Sequence, residues 1–204
     1  LQDCSEIIVL PLFPQYSLAA TESAIAQARL QLKKMQYPGK VTVIEDFYNH
    51  SHFIQAFASN IKQRHQPDYH LLLSYHGLPV KQINKTSNCA DYCDRISVCP
   101  AVTDSNRRCY RAQCFATSKA IQTQLQLQDD QVSTSFQSRL GKIPWIQPYT
   151  DKLLPTLFSQ GIRNLSVACP SFMVDCLETL EEIGLRAKAD WRELGGNDLQ
   201  LIPC

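Results

Sequence analysis

Apolar residues in this chain fall into short runs and helical stripes that alternate along its whole length. Ile7-Ile8-Val9-Leu10-Pro11-Leu12-Phe13 is a strand-sized apolar run and reads as a buried strand. Ala24, Ile25, Ala28, Leu32 and Met35 recur at helical spacing over residues 21–35, and Pro38-Gly39 ends that helix. Val41 to Ile44 is the next strand. Phe53, Ile54, Phe57 and Ile61 share one face of a helix over 51–64, capped by Asn49 or Ser51. Leu71 to Tyr75 is a third strand. It stops abruptly at His76, where Gly77 and Pro79 turn the chain.

Residues 80–108 break this rhythm, being polar and cysteine-bearing with few apolar positions to bury. A helix from Tyr110 to about Leu127 follows, then an alternating strand from Val132 to Gln137. Residues 141–148 form a loop carrying Trp145. Thr150 or Asp151 opens a helix closed by Gly161, in which Pro155 fits only if it lies in the first turn. Leu165 to Cys169 is a strand, Asp175 to about Leu194 a helix closed by Gly195-Gly196, and Leu199 to Ile202 a last strand. Strands alternating with helices predict an α/β fold of right-handed βαβ units on a parallel sheet.

Composition narrows the function. With 44% hydrophobic and 19% charged residues the 204-residue chain can bury a core. A net charge of +1 without a basic run argues against a nucleic-acid partner. No apolar stretch approaches the ~20 residues of a membrane span. The 7 glycines include no phosphate-binding pattern, so a dinucleotide fingerprint is absent. Five of the 9 cysteines lie between Cys89 and Cys114. A secreted disulfide scaffold would spread them, so this clustering suggests a reduced, cytoplasmic protein with one local metal site.

Two places carry candidate chemistry. His76 ends a core strand, where open α/β sheets place their ligand clefts, although a structural histidine would read the same. Asp175, Glu178 and Glu182 fall near 0°, 300° and 340° on a helix of about 100° per residue, with Cys176, Leu177, Leu180 and Ile183 opposite. Such a stripe is either a solvated face or a line of hard oxygen ligands and proton acceptors that favours a bound cation.

These residues resemble a known family. Ser74-Tyr75-His76-Gly77-Leu78-Pro79 looks like the catalytic-histidine motif of ferrochelatases, and Cys169-Pro170-Ser171 through Ile183 looks like their acidic-helix motif. Phe13-Pro14-Gln15-Tyr16-Ser17, Phe136 to Gly141, Pro144-Trp145 and Pro148 to Asp151 are also similar to family segments, in family order. The resemblance implies a chelatase-like fold, a Rossmann-type parallel sheet with helices on both faces, and insertion of ferrous iron into protoporphyrin IX or coproporphyrin. It implies that His76 and Glu178 bind metal and deprotonate pyrroles from opposite faces of the ring. Asp175 and Glu182 would form an acidic iron path behind Glu178, and Tyr16 and Trp145 would pack near the porphyrin. Residues 1–18 would end an N-terminal chelatase domain and 19–204 form the second, so a fragment inactive by itself is expected. Peripheral membrane contact and oligomeric state stay open.

The family also implies an insert at about residues 86–109. Cys114 then matches a position where bacterial members often have cysteine, leaving Cys89, Cys93, Cys99 and Cys109 as four thiolates in one loop. Four cysteines suit a 2Fe–2S cluster or a structural zinc. Certain ferrochelatases carry such a cluster, which favours iron–sulfur, while the spacing itself chooses neither. Two rival readings remain: a metal- or redox-sensing module that kept the fold, and a chelatase for another metal.

Overall fold

The computed structural model describes residues 4–86 and 99–204. Its elements follow the predicted alternation. They are β1 (Glu6–Val9), α1 (Ser23–Lys34), β2 (Lys40–Val43), α2 (Ser51–Lys62), β3 (His70–His76), α3 (Val80–Ile83), α4 (Tyr110–Leu125), β4 (Val132–Gln137), α5 (Thr150–Ser159), β5 (Asn164–Ala168), α6 (Leu177–Leu180), α7 (Lys188–Glu193) and β6 (Asp198–Leu201). Every strand pair is parallel. β1 and β2 form one two-stranded sheet, and the main sheet runs β4-β3-β5-β6. The expected division after residue 18 therefore falls between two strands of one sheet.

β3 is the spine of the molecule. Leu71, Leu73 and Tyr75 point to one face, packed with Phe53, Ile54 and Ile61 of α2 and Ala112, Cys114 and Ile121 of α4. Leu72 points to the other, with Leu154 and Leu157 of α5 and Trp191 of α7. Helices therefore cover both faces, as a doubly wound sheet requires. The chain leaves β3 toward β4 on one side and returns by α5 to β5 on the other side of β3. The strand order thus reverses between β3 and β5, and beyond their C-terminal ends lies the place where doubly wound sheets set their ligand crevice.

Several expectations change. The apolar run Ile7–Phe13 forms only a four-residue strand. Ile8 and Leu12 stand 63% and 58% exposed, because this edge pair has no second layer over that face among the described residues. His50, with extended backbone, caps α2 in place of Asn49 or Ser51. α5 runs straight through Pro155, whose position is exposed, so water can reach the carbonyl that loses its N–H partner.

The largest change is in the acidic segment. No single helix spans Asp175 to Leu194. A four-residue α6 gives way to a π turn over Glu182–Ala187 and then to α7. The Arg186 N–H reaches back five residues to the Glu181 carbonyl at 2.8 Å. The buried line runs through Thr179, Ile183, Ala187 and Trp191 at constant four-residue spacing. Leu177 and Leu180, expected opposite the acids, are exposed at 73% and 53%. A second π turn, Leu18–Glu22, precedes α1, with the Glu22 N–H on the Ser17 carbonyl at 3.0 Å.

Candidate active site at the β3–β5 switch

The crevice is framed by the last residue of β3 and the loop after β5. Ser171 bridges the two, its Oγ accepting the His76 backbone N–H at 3.0 Å. Tyr110 of α4 donates its hydroxyl to the His76 carbonyl at 2.8 Å. Both backbone groups of the histidine are therefore held by elements outside β3. The ring is oriented too, since Nδ1 lies 2.6 Å from the Gly77 carbonyl. A carbonyl can only accept, so Nδ1 carries the proton and Nε2 presents its lone pair in the neutral ring. The Phe172 ring sits 6.2 Å away, centroid to centroid.

Glu178 lies in the first turn of α6, half-buried. The Cys176 thiol, donating a hydrogen bond, is the main cause holding its carboxyl below the usual glutamate range, and His76, whenever its ring carries a second proton, lowers it further. The strand-end histidine and this glutamate therefore share one electrostatic site. Burial pushes the Cys176 thiol up, and the Glu178 carboxylate adds to that rise.

The other two acids are placed differently. Glu182 is clamped by Ser138, whose backbone N–H donates to Oε1 at 2.8 Å and whose hydroxyl donates to Oε2 at 2.5 Å. Ser138 pays for this grip with φ +64°, the left-handed region that non-glycine residues seldom adopt. Asp175 turns inward, accepting from Thr179 Oγ1 at 2.9 Å and from the Cys204 N–H at 3.3 Å. The Cys204 thiol is pushed up to about 12, chiefly by burial and then by Asp175.

Gln137 ties these groups together, and the sequence reading gave it no role. It pairs in register with His76 across β3 and β4 and is 2% exposed. Its amide donates to the Glu178 carbonyl at 2.7 Å and to Glu182 Oε2 at 3.4 Å. Its carbonyl oxygen accepts from Ser74 Oγ at 2.7 Å. Nothing in the sequence marks it, because its role follows from its register against His76.

Of the two aromatics expected near the site, Trp145 is half-buried beside it. A Cβ added at Gly77 would lie 3.3 Å from the Trp145 ring and 2.7 Å from the Gln137 carbonyl, so only glycine fits between them. Tyr16 is 1% exposed, donates to Glu22 Oε2 at 2.9 Å and lies under the Arg108 guanidinium at 5.0 Å, which places it in the packing. Its hydroxyl is pushed up to about 12 by burial and by Glu22.

Of the four cysteines expected in the loop, Cys89 and Cys93 lie outside the described residues. Cys99 is half-buried and accepts a hydrogen bond from Arg111 Nη1 at 2.7 Å. Cys109 is buried and caps α4. Cys114 is fully buried, its thiol pushed well up by burial. Among the described residues, no three His, Cys, Asp or Glu side chains are spaced to hold a metal ion. A cavity of about 1150 Å³ lies by Cys99, Phe115 and Lys119, and neither His76 nor Glu178 lines it.

Comparison with known proteins places the chain. The SirB protein of Bacillus subtilis, solved with Fe3+, superposes with a TM-score of 0.55 over 98% of this chain and 65% of its own, at 13% identity, which shows a shared fold. The ferrochelatase of Legionella pneumophila strain Philadelphia 1 is 49% identical over 204 residues, all of this chain and 61% of the relative's length. That of Coxiella burnetii strain Dugway 5J108-111 is 48% identical over 205 residues, 98% of this chain and 56% of the relative. The chain thus spans a little over half the length of these relatives. The family model for ferrochelatase matches residues 1–204, and the chain belongs to the ferrochelatase family.

Proposed function

We propose that this chain forms the catalytic half of a ferrochelatase that inserts Fe2+ into a porphyrin, with His76 and Glu178 as the reacting pair. The observation that carries the reading is their meeting at the β3–β5 switch, with His76 Nε2 presenting a lone pair and Glu178 held ionised. Metallation replaces two pyrrole N–H protons with one Fe2+. A neutral imidazole accepts a proton without first losing one, and a carboxylate below its usual range stays available to the cation. Glu182 and Asp175 extend the anionic line behind Glu178, and the bonds from Ser138 and Thr179 fix their direction.

The rim supports a flat apolar substrate. Val174, Leu177 and Leu180 stand 71%, 73% and 53% exposed beside Glu178, and Trp145 borders His76 through Gly77. Tyr16 we assign to the packing that holds the Pro14–Ser17 turn on α4, where Gln113 Oε1 accepts the Tyr16 N–H. We place the domain division after β2, since β1 and β2 share a sheet. No helix among the described residues is long and apolar enough to cross a membrane, and we propose a cytoplasmic protein.

For the cysteine loop we propose a metal group held by Cys89, Cys93, Cys99 and Cys109, a 2Fe–2S cluster before a structural zinc. One described member suits it: a buried arginine donates to the Cys99 sulfur, which would stabilise a charged thiolate centre. Bound there, the group would supply a covalent staple for a loop with little core of its own.

The test is anaerobic Fe2+ insertion into protoporphyrin by the full-length protein, wild type beside His76→Ala. The expected result is turnover by wild type and a loss of about 10²–10⁴-fold in the variant. Near-normal turnover by His76→Ala sinks the assignment of the histidine. No insertion by either sinks the ferrochelatase reading in favour of another metal or a sensor.

A further inference from the structure

Arg111 is a fully buried cation, 1% exposed, in the first turn of α4. Burying a guanidinium is costly unless its N–H groups are used. Here they are used in two directions. Nη1 donates to Cys99 Sγ at 2.7 Å, and Nε donates to the Gln147 carbonyl at 3.0 Å. Its face lies over the Phe115 ring at 4.7 Å, which sets the plane of the fork.

Each end leads somewhere. The sulfur belongs to the cysteine loop. Gln147 belongs to the loop laced against the residues after His76: Ile146 N–H donates to the Leu78 carbonyl and Val80 N–H to the Pro144 carbonyl, both at 3.0 Å. Between those two bonds Trp145 packs on Gly77. The neighbour of Arg111 on α4, Tyr110, holds the His76 carbonyl itself. One rigid, planar group thus fixes the separation of a cysteine sulfur from the loop that borders the site.

We propose that Arg111 is a positioning residue through which the Cys99 sulfur sets the placement of the Trp145 loop beside His76. Gain or loss of a metal group at the cysteine loop then changes the surroundings of Trp145 without touching the site directly. This consequence rests on reading the cysteine loop as a metal site and His76 as catalytic. The geometric link does not.

The experiment uses full-length protein purified without oxygen and reads the Trp145 emission, isolated by subtracting the spectrum of Trp145→Phe. Cys99→Ser is made in three backgrounds: wild type, Arg111→Met and Arg111→Lys. Lysine keeps the charge but, as a point donor, cannot span sulfur and carbonyl, and it serves where the methionine variant fails to fold. In the wild-type background Cys99→Ser is expected to red-shift Trp145 and raise its quenching by iodide. In both Arg111 backgrounds that shift is lost. An equal shift in all backgrounds, or none in wild type, overturns the link. Metal and sulfide per chain, measured on the same samples, judge the cluster separately. Coupling without bound metal refutes the cluster alone, and metal without coupling refutes the link alone.

Discussion

Replacing Gln137 by alanine is the sharpest probe of how this site is built. The side chain is buried and spans the two halves of the crevice, from Ser74 on β3 to the Glu178 carbonyl on α6. Truncation takes the amide donor from that carbonyl, which costs about 1–3 kcal/mol where no other donor replaces it. It also removes the bond from Ser74, worth about 1 kcal/mol. Ser74 keeps Thr150 Oγ1 at 3.0 Å, so its hydroxyl is not stranded and no second orphan penalty applies. The expected loss is therefore about 2–4 kcal/mol, read as a lower urea midpoint at unchanged slope. Turnover should fall as well, measured well below the unfolding range, because the turn carrying Glu178 and Glu182 loses its anchor. A shift of about 1 Å at a catalytic group is enough for about 10²-fold. A stability change under about 0.5 kcal/mol together with unaltered turnover would refute the argument that Gln137 holds the acids.

Four further outcomes follow from the same geometry. Ser138→Gly and Ser138→Ala both remove the hydroxyl from Glu182, but only glycine relieves φ +64°, so the alanine variant should be the less stable by about 1 kcal/mol in urea titration. Cys176→Ala removes the leading cause of the low Glu178 carboxyl, and carboxyl-carbon NMR titration should show that group rising toward the ordinary 4.5; an unmoved titration sinks that cause. Burial raises the thiols of Cys114, Cys169 and Cys204 in the folded state. Groups raised on folding contribute stability that is intact below the unfolded value near 9.0 and is lost as pH climbs toward the folded value, so urea midpoints should fall above about pH 9, and a flat profile would contradict it. Leu72→Ala, at the centre of the face shared by α5 and α7, should lose about 2–5 kcal/mol.

Much of the fold is legible from the apolar pattern, and the exceptions have physical causes. The alternation from Val132 to Gln137 marks β4 at its observed bounds, because one strand with one period leaves little choice. Leu71 to Tyr75 is found inside β3, which adds one residue at each end. The acidic segment is misread because a 3.6-residue template assumes uniform turns. The pattern carries no sign of the π turn at Glu182, where a carbonyl skips to a fifth residue. Ile7–Phe13 shows the converse limit: an apolar run says that a layer suits it, not which layer covers it. At the site, His76 is readable because it ends a core strand. Gln137 and Ser138 are not, since their roles depend on register against β3 and on a backbone angle that composition does not encode.

The two halves of the crevice differ in stiffness, and that difference bears on mechanism. His76 ends a strand whose residues 70–75 are all buried, and its N–H, its carbonyl and its Nδ1 are each engaged. The acids instead ride a segment of one short α turn, one π turn and a second short helix, with Leu177 and Leu180 exposed. π turns are costly in hydrogen-bond geometry and persist where the surroundings over-determine them. The holds on this segment are Gln137 and Ser138 on one side, the Cys204 N–H on Asp175, and the line Thr179, Ile183, Ala187 and Trp191 beneath. The metallation we propose, which would admit a cation, release two protons and let a metallated ring leave, would be served by one fixed base and one adjustable anion. The hydrogen-exchange corollary is direct. Amides of Leu71–Tyr75 should exchange only with global unfolding, while those of 178–187 should exchange through a lower-energy local opening. Equal protection of both segments would mean that the acids are as rigid as the strand, and the division of labour would fail.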